Sequence, residues 1–308
     1  MNRESPILIA DIGATNARLD IVQGRKSKVK QDNYLLEEFN SIESLLKDYL
    51  NKTGLEVERA ILGVAAPILG DEVHFINNNF KFSQRELKEN MFKDGLRVLN
   101  DLELQAHGIK SLSKEDILVI GNKKKPLQGS KILVSPGTGL GLAGVIEGNV
   151  MSTEAGHLHV PSNLSGLSSI VEKFETENNR MPSFEDLLSG QGLNSIYRFL
   201  SENHSCPYSN EEILSEKRDL DCLRTKEIMI HLLSIFLRYM ALIWGASGGV
   251  YLSGSIANSL MKDINAKEFR KNFEDSHKMK IFLINTPLFL VLDLNLGLRG
   301  AREIALNS

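Results

Sequence analysis

An α/β fold is predicted for this 308-residue chain, and three observations predict it. Apolar runs of β type alternate with segments whose apolar residues recur at helical spacing, the pattern of helices packed on sheets. Two of those runs lead into glycine turns. Ile7-Leu8-Ile9-Ala10 precedes Asp11-Ile12-Gly13-Ala14-Thr15-Asn16, and Ile132-Leu133-Val134-Ser135 precedes Pro136-Gly137-Thr138-Gly139-Leu140-Gly141. Each turn opens a strand-rich half, which hints at a duplicated βββαβαβα-like unit, although no repeat of fixed period accompanies it.

Ile7 to Asp11 and Ala17 to Val22 read as two strands of a hairpin whose tip is the first glycine turn. Ser41 to Leu50 carries helical spacing, with Ser41 and Ser44 as start signals. Arg59 to Ala66 reads as a strand stopped by Pro67, and Leu69-Gly70-Asp71-Glu72 as a turn. Ser83 with Glu86 three residues on has capping-box spacing for a helix. Leu96 to Leu99 is a short strand ending at Asn100-Asp101, followed by a helical pattern to Ile109. Gly141 to Glu147 and Val150 to Thr153 form a hairpin around Gly148-Asn149. Ser165 to about Gly245 is mostly helical, interrupted near Met181-Pro182 and Cys206-Pro207. Gly249 to Ser253 is a buried-type strand and Ile256 to Lys262 a helix. Lys280 to Asn285 and Phe289 to Leu292 are expected as the last strands, and a glycine turn at Gly297 and Gly300 leads into a short C-terminal helix. The expected division is a small α/β domain over residues 1–108, with the C-terminal helix (about 296–308) packing back on it, and a large α/β domain over 109–295.

The length is long for one core and comfortable for two domains. A hydrophobic content of 42% with 24% charged residues is ordinary for a soluble globular protein. The net charge of −3 carries no polyanion signal, which argues against nucleic acid or an acidic membrane surface as partner. The lysine-rich patches Lys26 to Lys30 and Lys123 to Lys125 are short and read as solvated loops. Cys206 and Cys222 lack C-x-x-C spacing, so no cysteine zinc site is supported, and two thiols fit a reducing cytosol. The opening Met-Asn-Arg-Glu-Ser-Pro has no basic, apolar, cleavable pattern, so no signal peptide and a cytoplasmic location are expected. The longest apolar segment, Ile228 to Trp244, contains His231, Ser234 and Arg238 and reads as a buried core helix, too short for a bilayer span.

The glycine turns carry the first chemistry. Glycine lets backbone N–H groups approach an anion with no Cβ in the way. Two such turns suggest a nucleotide phosphate chain gripped from two sides, and Asp11 adds a carboxylate able to hold Mg²⁺ directly or through water. Asn100-Asp101 ends a strand, at the edge where α/β sheets bind ligands. Asp101 can take a proton from a hydroxyl nucleophile; the plainer reading is a cap for the helix at Leu102. Glu154-Ala155-Gly156-His157 sets a carboxylate and an imidazole three apart across a glycine, able to face one polar ligand. Its plainer reading is a loop with a surface acid and a half-buried histidine. His157-Leu158-His159 does not suit a metal, because alternate strand residues diverge. Glu185 by itself reads as an ordinary helix acid. Gly248 to Ser255 suits either close approach of an adenine or ribose, or tight packing of the preceding helix.

In this order, the set resembles the bacterial glucokinase family, within the sugar kinase/actin/Hsp70 ATPase superfamily. The likeness rests on Asp11-Ile-Gly-Ala-Thr-Asn-Ala-Arg18, Ala65-Ala-Pro-Ile68 with Asn77, Leu99-Asn-Asp101 and Gly137-Thr-Gly-Leu-Gly141. Glu154-Ala-Gly-His157, Leu188-Ser-Gly190, Gly248-Gly-Val-Tyr-Leu-Ser-Gly254 and Phe273-Glu-Asp275 complete it, so that it runs from about residue 7 to 301. Ala14, Ala155 and Ser255 stand where glycine is common in the family, and Phe80 where tryptophan is common. The cysteine-rich zinc motif of the related repressor/open-reading-frame/kinase family is absent, which points to the zinc-free group.

The resemblance implies two actin-like (ribonuclease H-like) α/β domains flanking a deep cleft, and ATP-dependent phosphorylation of D-glucose to glucose 6-phosphate. It implies Asp101 as general base, with Asn77, Asn100, Asp101, Glu154, His157 and Glu185 as sugar ligands. Asp11, Gly13, Ala14, Thr15 and Asn16 with Gly137, Thr138 and Gly139 become phosphate loops, and Gly249 and Gly254 the adenosine side. Mg²⁺ would be held at Asp11, by way of water. The implied partners are glucose or a close hexose and Mg-ATP, and many family members form homodimers. A kinase for another hexose or amino sugar is the alternative within the same scaffold. A non-catalytic sugar sensor is the other; Asp101, both phosphate loops and the six residues before Ile7, too few for a helix-turn-helix, argue against it.

Overall fold

The computed structural model describes residues 5–24, 31–75, 79–122, 124–164, 166–201, 204–262 and 264–308. Asn77, the Lys26 to Lys30 patch, Lys123 and Ser165 lie outside the described residues. Along the chain run β1 (Ile7–Ile12), β2 (Asn16–Val22), β3 (Asp32–Leu35), α1 (Ile42–Thr53), β4 (Arg59–Val64), β5 (Glu72–His74), β6 (Lys81–Ser83), α2 (Gln84–Met91), β7 (Gly95–Asn100) and α3 (Asp101–Gly108). Then follow β8 (Ile117–Val119), β9 (Lys131–Pro136), β10 (Leu140–Ile146), β11 (Asn149–Thr153), α4 (Ser168–Asn178), α5 (Phe184–Leu187), α6 (Gly190–Leu200), α7 (Asn210–Ser215) and α8 (Leu220–Trp244). The chain ends with β12 (Gly249–Leu252), α9 (Ser255–Met261), α10 (Ala266–Phe273), α11 (Lys280–Asn285), β13 (Leu288–Val291) and α12 (Leu296–Ala305). It divides into two compact units, Met1–Leu112 with Asn295–Ser308, and Ser113–Leu294.

In the first unit the strand order is β3-β2-β1-β4-β7. β1, β2 and β3 form an antiparallel meander, and β4 and β7 run parallel to β1. β1 is buried along its whole length because both faces of the sheet are covered. Leu8, Ala10 and Ile12 enter one core with Leu45 and Tyr49 of α1 and Leu87 of α2. Ile7 and Ile9 enter another with Leu104 of α3 and Leu298 and Ala301 of α12. Each leucine or isoleucine among them contributes about 1.5–3 kcal/mol when fully buried. Asp11 shares its face with Ile7 and Ile9, because strand side chains alternate. The caps expected at Ser41 and Ser83 are both made: Ser41 accepts from the Ser44 amide and Ser83 from the Glu86 amide.

The second unit repeats the arrangement as β11-β10-β9-β12-β13, with β8 added antiparallel outside β13. β9, β10 and β11 form the meander; β12 is parallel to β9, and β13 to β12. Ile132, Val134 and Leu142 meet Leu233, Phe236 and Leu237 of α8 in one core. By length and composition α8 could cross a membrane, but half of its most apolar window is buried inside the fold, as suits a core helix.

Three expectations are corrected. Lys280–Asn285 is helix α11, not a strand. The place beside β13 is not open to it, since β12 lies on one side of β13 and β8 pairs with the other. Gly297 and Gly300 lie inside α12 and do not form a turn before it. They are the places where that helix presses on Asp11 and on the Leu104 carbonyl. The β10–β11 turn is centred on Glu147-Gly148, at φ 52° and 85°, one residue earlier than read, because Asn149 already pairs with Ile146.

Candidate active site

At the carboxyl edge of the first sheet, three loops lie side by side. Register sets Ile12, Val64 and Asn100 in one row across β1, β4 and β7, on strands about 4.8 Å apart. The Ala65 amide donates to the Ile12 carbonyl at 3.0 Å. Asn100 Nδ2 donates to the Ala66 carbonyl at 3.3 Å. Asn100 Oδ1 accepts from the Leu102 and Glu103 amides at 2.9 and 3.4 Å, which makes Asn100 the N-cap of α3. Asp101 is the first residue of α3, and its Oδ1 also accepts from Leu102 at 2.9 Å. Asp101 therefore supports the cap, but Asn100 carries it. The Asp101 carboxylate is half-buried at a helix amino end, a position that suits an anion.

The first glycine turn is closed by the Gly13 amide donating to the Asn16 carbonyl at 2.9 Å. Gly13 and Ala14 are half-buried, whereas Thr15 and Asn16 are exposed at the tip. Asp11 is only 7% exposed. Its cross-strand partner is Arg18, whose Nη1 lies 3.4 Å from Asp11 Oδ2. Burial pushes the Asp11 carboxyl above its ordinary value, against the pull of Arg18. Gly297 of α12 leaves the only room its neighbour needs, since a Cβ there would strike the Asp11 carboxylate.

The second glycine turn is closed by the Gly137 amide donating to the Gly139 carbonyl at 2.8 Å. Two further bonds hold it. The Gly190 amide, at the start of α6, donates to the Gly137 carbonyl at 2.8 Å. The Leu140 amide donates to Glu185 Oε2 at 2.7 Å. Gly139 is required by that contact, because a Cβ would sit 2.5 Å from Glu185 Oε2. Thr138 is exposed at the tip, and Gly254 abuts Ser135 and Pro136 at the turn's base.

Glu185, Glu154 and His157 converge beside this turn. His157 Nε2 lies 3.8 Å from Glu185 Oε1 and 3.9 Å from Glu154 Oε2. These separations exceed hydrogen-bond length, so the three groups keep capacity for a ligand's hydroxyls. Glu185 rides on α5, which spans only four residues. That helix is fixed by a capping box between Ser183 and Asp186 and by the Arg180 fork, with Nη1 and Nη2 each 2.7 Å from an Asp186 oxygen.

The structure thus gathers Asp11, Gly13 to Asn16, Asn100 and Asp101 along one sheet edge. It gathers Gly137 to Gly139, Glu154, His157, Glu185 and Gly254 at the carboxyl edge of the other sheet. Gly249 is apart from them: it starts β12 opposite Lys131, at the far end of β9 from the turn, and packs on Phe289. Sequence reading missed Arg18, although the signal was present. Asp11 and Arg18 are equidistant from the centre of a four-residue turn, which makes them cross-strand partners. It also missed the reason for Leu188-Ser189-Gly190, which is to bring the Gly190 amide to the second turn.

A meander-then-parallel sheet built twice, with a glycine turn in the same place each time, is the actin-like ATPase fold. The family model for glucokinase matches residues 8–308. Glucokinases of Tolumonas auensis and Salmonella typhi are 31% and 32% identical, each alignment covering 96% of this chain and 95% of the relative. The chain belongs to the glucokinase family of enzymes. The fold is shared with a glucokinase from an Antarctic psychrotroph at a TM-score of 0.85 and 24% identity, over 99% of both chains. It is also shared with a ROK family glucokinase from Streptomyces griseus, solved with glucose and AMPPNP, at 0.67 and 16% over 99% of this chain and 100% of that one.

Proposed function

We propose that this protein transfers the γ-phosphoryl group of ATP to the 6-hydroxyl of D-glucose, with Asp101 as general base. Beyond the family, the observation that carries this reading is the Glu154–His157–Glu185 cluster beside a glycine turn. A sugar offers hydroxyls that both donate and accept, so two carboxylates and an imidazole suit it, and an unmatched partner in such a site is costly. Asn100 adds an amide; Asn77 is a further candidate ligand from the resemblance.

Asp101 accepts the proton of the 6-hydroxyl as that oxygen bonds to the γ-phosphorus and the bond to the ADP oxygen breaks. In this reading the Gly13 to Asn16 and Gly137 to Gly139 turns serve as phosphate loops and Gly254 as part of the adenosine side; the Gly13 and Gly137 amides themselves close their turns. Gly249 is left out of this assignment by its place at the opposite sheet edge. A divalent cation fits the oxygen chemistry of Asp11, whose near-complete burial favours a link through water. When bound, Mg²⁺ would offset phosphate charge. The setting we infer is the cytoplasm, at the entry of glucose into glycolysis, consistent with free thiols at Cys206 and Cys222.

The test is a coupled assay with Mg-ATP and glucose, comparing the native protein with Asp101→Asn. Turnover should fall roughly 10²–10⁴-fold, the span of a general base, while glucose binding by calorimetry persists. Near-native turnover in the variant would remove Asp101 from this role.

A further inference from the structure

A cavity of about 620 Å³ in the second unit is lined by Gly121, Asn122, Ala266, Lys267, Arg270, Lys271, Asn272, Glu274, Asp275 and Lys280. We propose that it binds a small polyanion carrying two or more phosphate groups, at a site separate from the glycine turns. The proposal stands independently of the kinase reading.

Register fixes its place. β9, β12 and β13 are parallel, and their amino ends are level: Gly249 pairs with Lys131, and Val250 with Leu288. Val119 of β8 pairs with Phe289, and the Ile120 amide donates to the Leu288 carbonyl at 2.9 Å. Gly121 and Asn122 therefore emerge at the amino edge of these strands. The Gly137 to Gly139 turn leaves the carboxyl edge, and β9 between them is six residues long. At about 3.3 Å per residue the two edges are roughly 20 Å apart.

The charges around the cavity do not cancel. Arg270 is 4% exposed and forms a rigid wall. Its Nε is 2.7 Å from Glu274 Oε1, and its Nη1 and Nη2 donate to the Thr286 and Leu283 carbonyls at 2.9 and 3.0 Å. Glu274 is thereby occupied. Asp275 faces Arg238, which donates to its carbonyl at 2.7 Å and lies 3.6 Å from its carboxylate. Lys267, Lys271 and Lys280 are exposed, and none of them makes an ion pair among the described residues.

One placement is locally unfavourable without a ligand. Lys267 sits in the first turn of α10, where the helix dipole is already positive, and four residues from the like charge of Lys271, which itself lies in the last turn. Local conflicts of this kind mark functional sites. Lysine heads are mobile point charges that recognise phosphate by charge more than by shape. A single phosphate group of charge about −2 leaves one of the three cations unmatched; two or more groups match them all. The volume lies within the roughly 300–1,000 Å³ of small-molecule sites.

Inorganic triphosphate is the probe, followed by calorimetry at low salt and by hydrogen exchange read peptide by peptide. The native protein should show protection across residues 266–285. Lys267→Ala, Lys271→Ala and Lys280→Ala combined, all at exposed positions, should lose that protection and weaken binding at this site at least about 10-fold, with glucose turnover unchanged. Orthophosphate at equal concentration should protect far less. Protection confined to the two glycine turns, equal binding by the triple variant, or equal protection by orthophosphate would each overturn the proposal.

Discussion

The two sheets share a strand order but stabilise their glycine turns by different means. In the first, the charge belongs to the strand: Asp11 is buried at the end of β1, opposite Arg18 and under Gly297. In the second, β9 ends in the uncharged Ser135-Pro136, and the carboxylate arrives from α5 as Glu185. A short acid on a buried strand has nowhere to move. A longer acid with a third of its side chain exposed can bond the turn and still reach His157. Architecture was repeated here without repeating its electrostatics. Damage under the first turn should therefore lower stability as well as turnover, and damage at the second mainly turnover.

The largest effect expected from that contrast is at Glu185. Glu185→Ala leaves the Leu140 amide without its acceptor, a loss of about 1–3 kcal/mol in stability, and removes one of the carboxylates proposed to bind the sugar. The lost carboxylate should lower kcat/KM for glucose by roughly 10²-fold or more, while the stranded amide lowers the melting temperature by no more than roughly 10 °C. Glu185→Gln, which keeps an acceptor oxygen, should recover part of the loss. A Glu185→Ala protein that melts far below the native one would erase the distinction between the turns.

Paired glycine substitutions sharpen it. Gly297→Ala drives a methyl group into the Asp11 carboxylate, and overpacking of this kind costs about 1–3 kcal/mol, opposed by up to about 1 kcal/mol of improved helix propensity. Urea unfolding should show a net loss. Gly139→Ala meets only the end of the Glu185 side chain, which can tilt aside while still accepting from the Leu140 amide; its stability should stay within about 1 kcal/mol of native while turnover falls. Equal destabilisation by both would contradict the argument.

How much of this was legible in the sequence depended on range. The β1–β2 hairpin and the caps at Ser41 and Ser83 were readable because the strand period, the turn and the cap are local signals. Lys280–Asn285 was not, because its six residues suit a strand by local pattern, and the place beside β13 belongs to the three residues of β8. The position of Gly249 failed for a related reason: it is adjacent to the motif ending at Gly254 in sequence, yet β12 carries the two to opposite edges. Glu185 reaches the turn across 45 residues of chain, so no local pattern could announce it; only resemblance singled it out.

The smallest effect comes from acid, and it separates the two carboxylate arrangements by sign. α5 is too short to persist unaided, so the Arg180–Asp186–Ser183 contacts hold Glu185 in place. Burial works against the Asp186 charge, but hydrogen bonds from Arg180 and Ser183 outweigh it and carry the carboxyl from 3.8 down to about 2. A lowered value in the folded state means stability that is present above about pH 4 and is lost as pH falls toward 2. With Arg180 more than half exposed, solvent screening limits this to about 1–2 kcal/mol. Asp11 has the opposite shift, raised by burial. Its protonation is easier in the folded state, so its contribution to stability improves as pH falls. Unfolding free energies measured between pH 5 and 2 should therefore show the native protein losing its advantage over Asp186→Asn, while its stability relative to Asp11→Asn rises. Parallel pH curves for the two variants would mean that the two acids do not differ in the way their surroundings require.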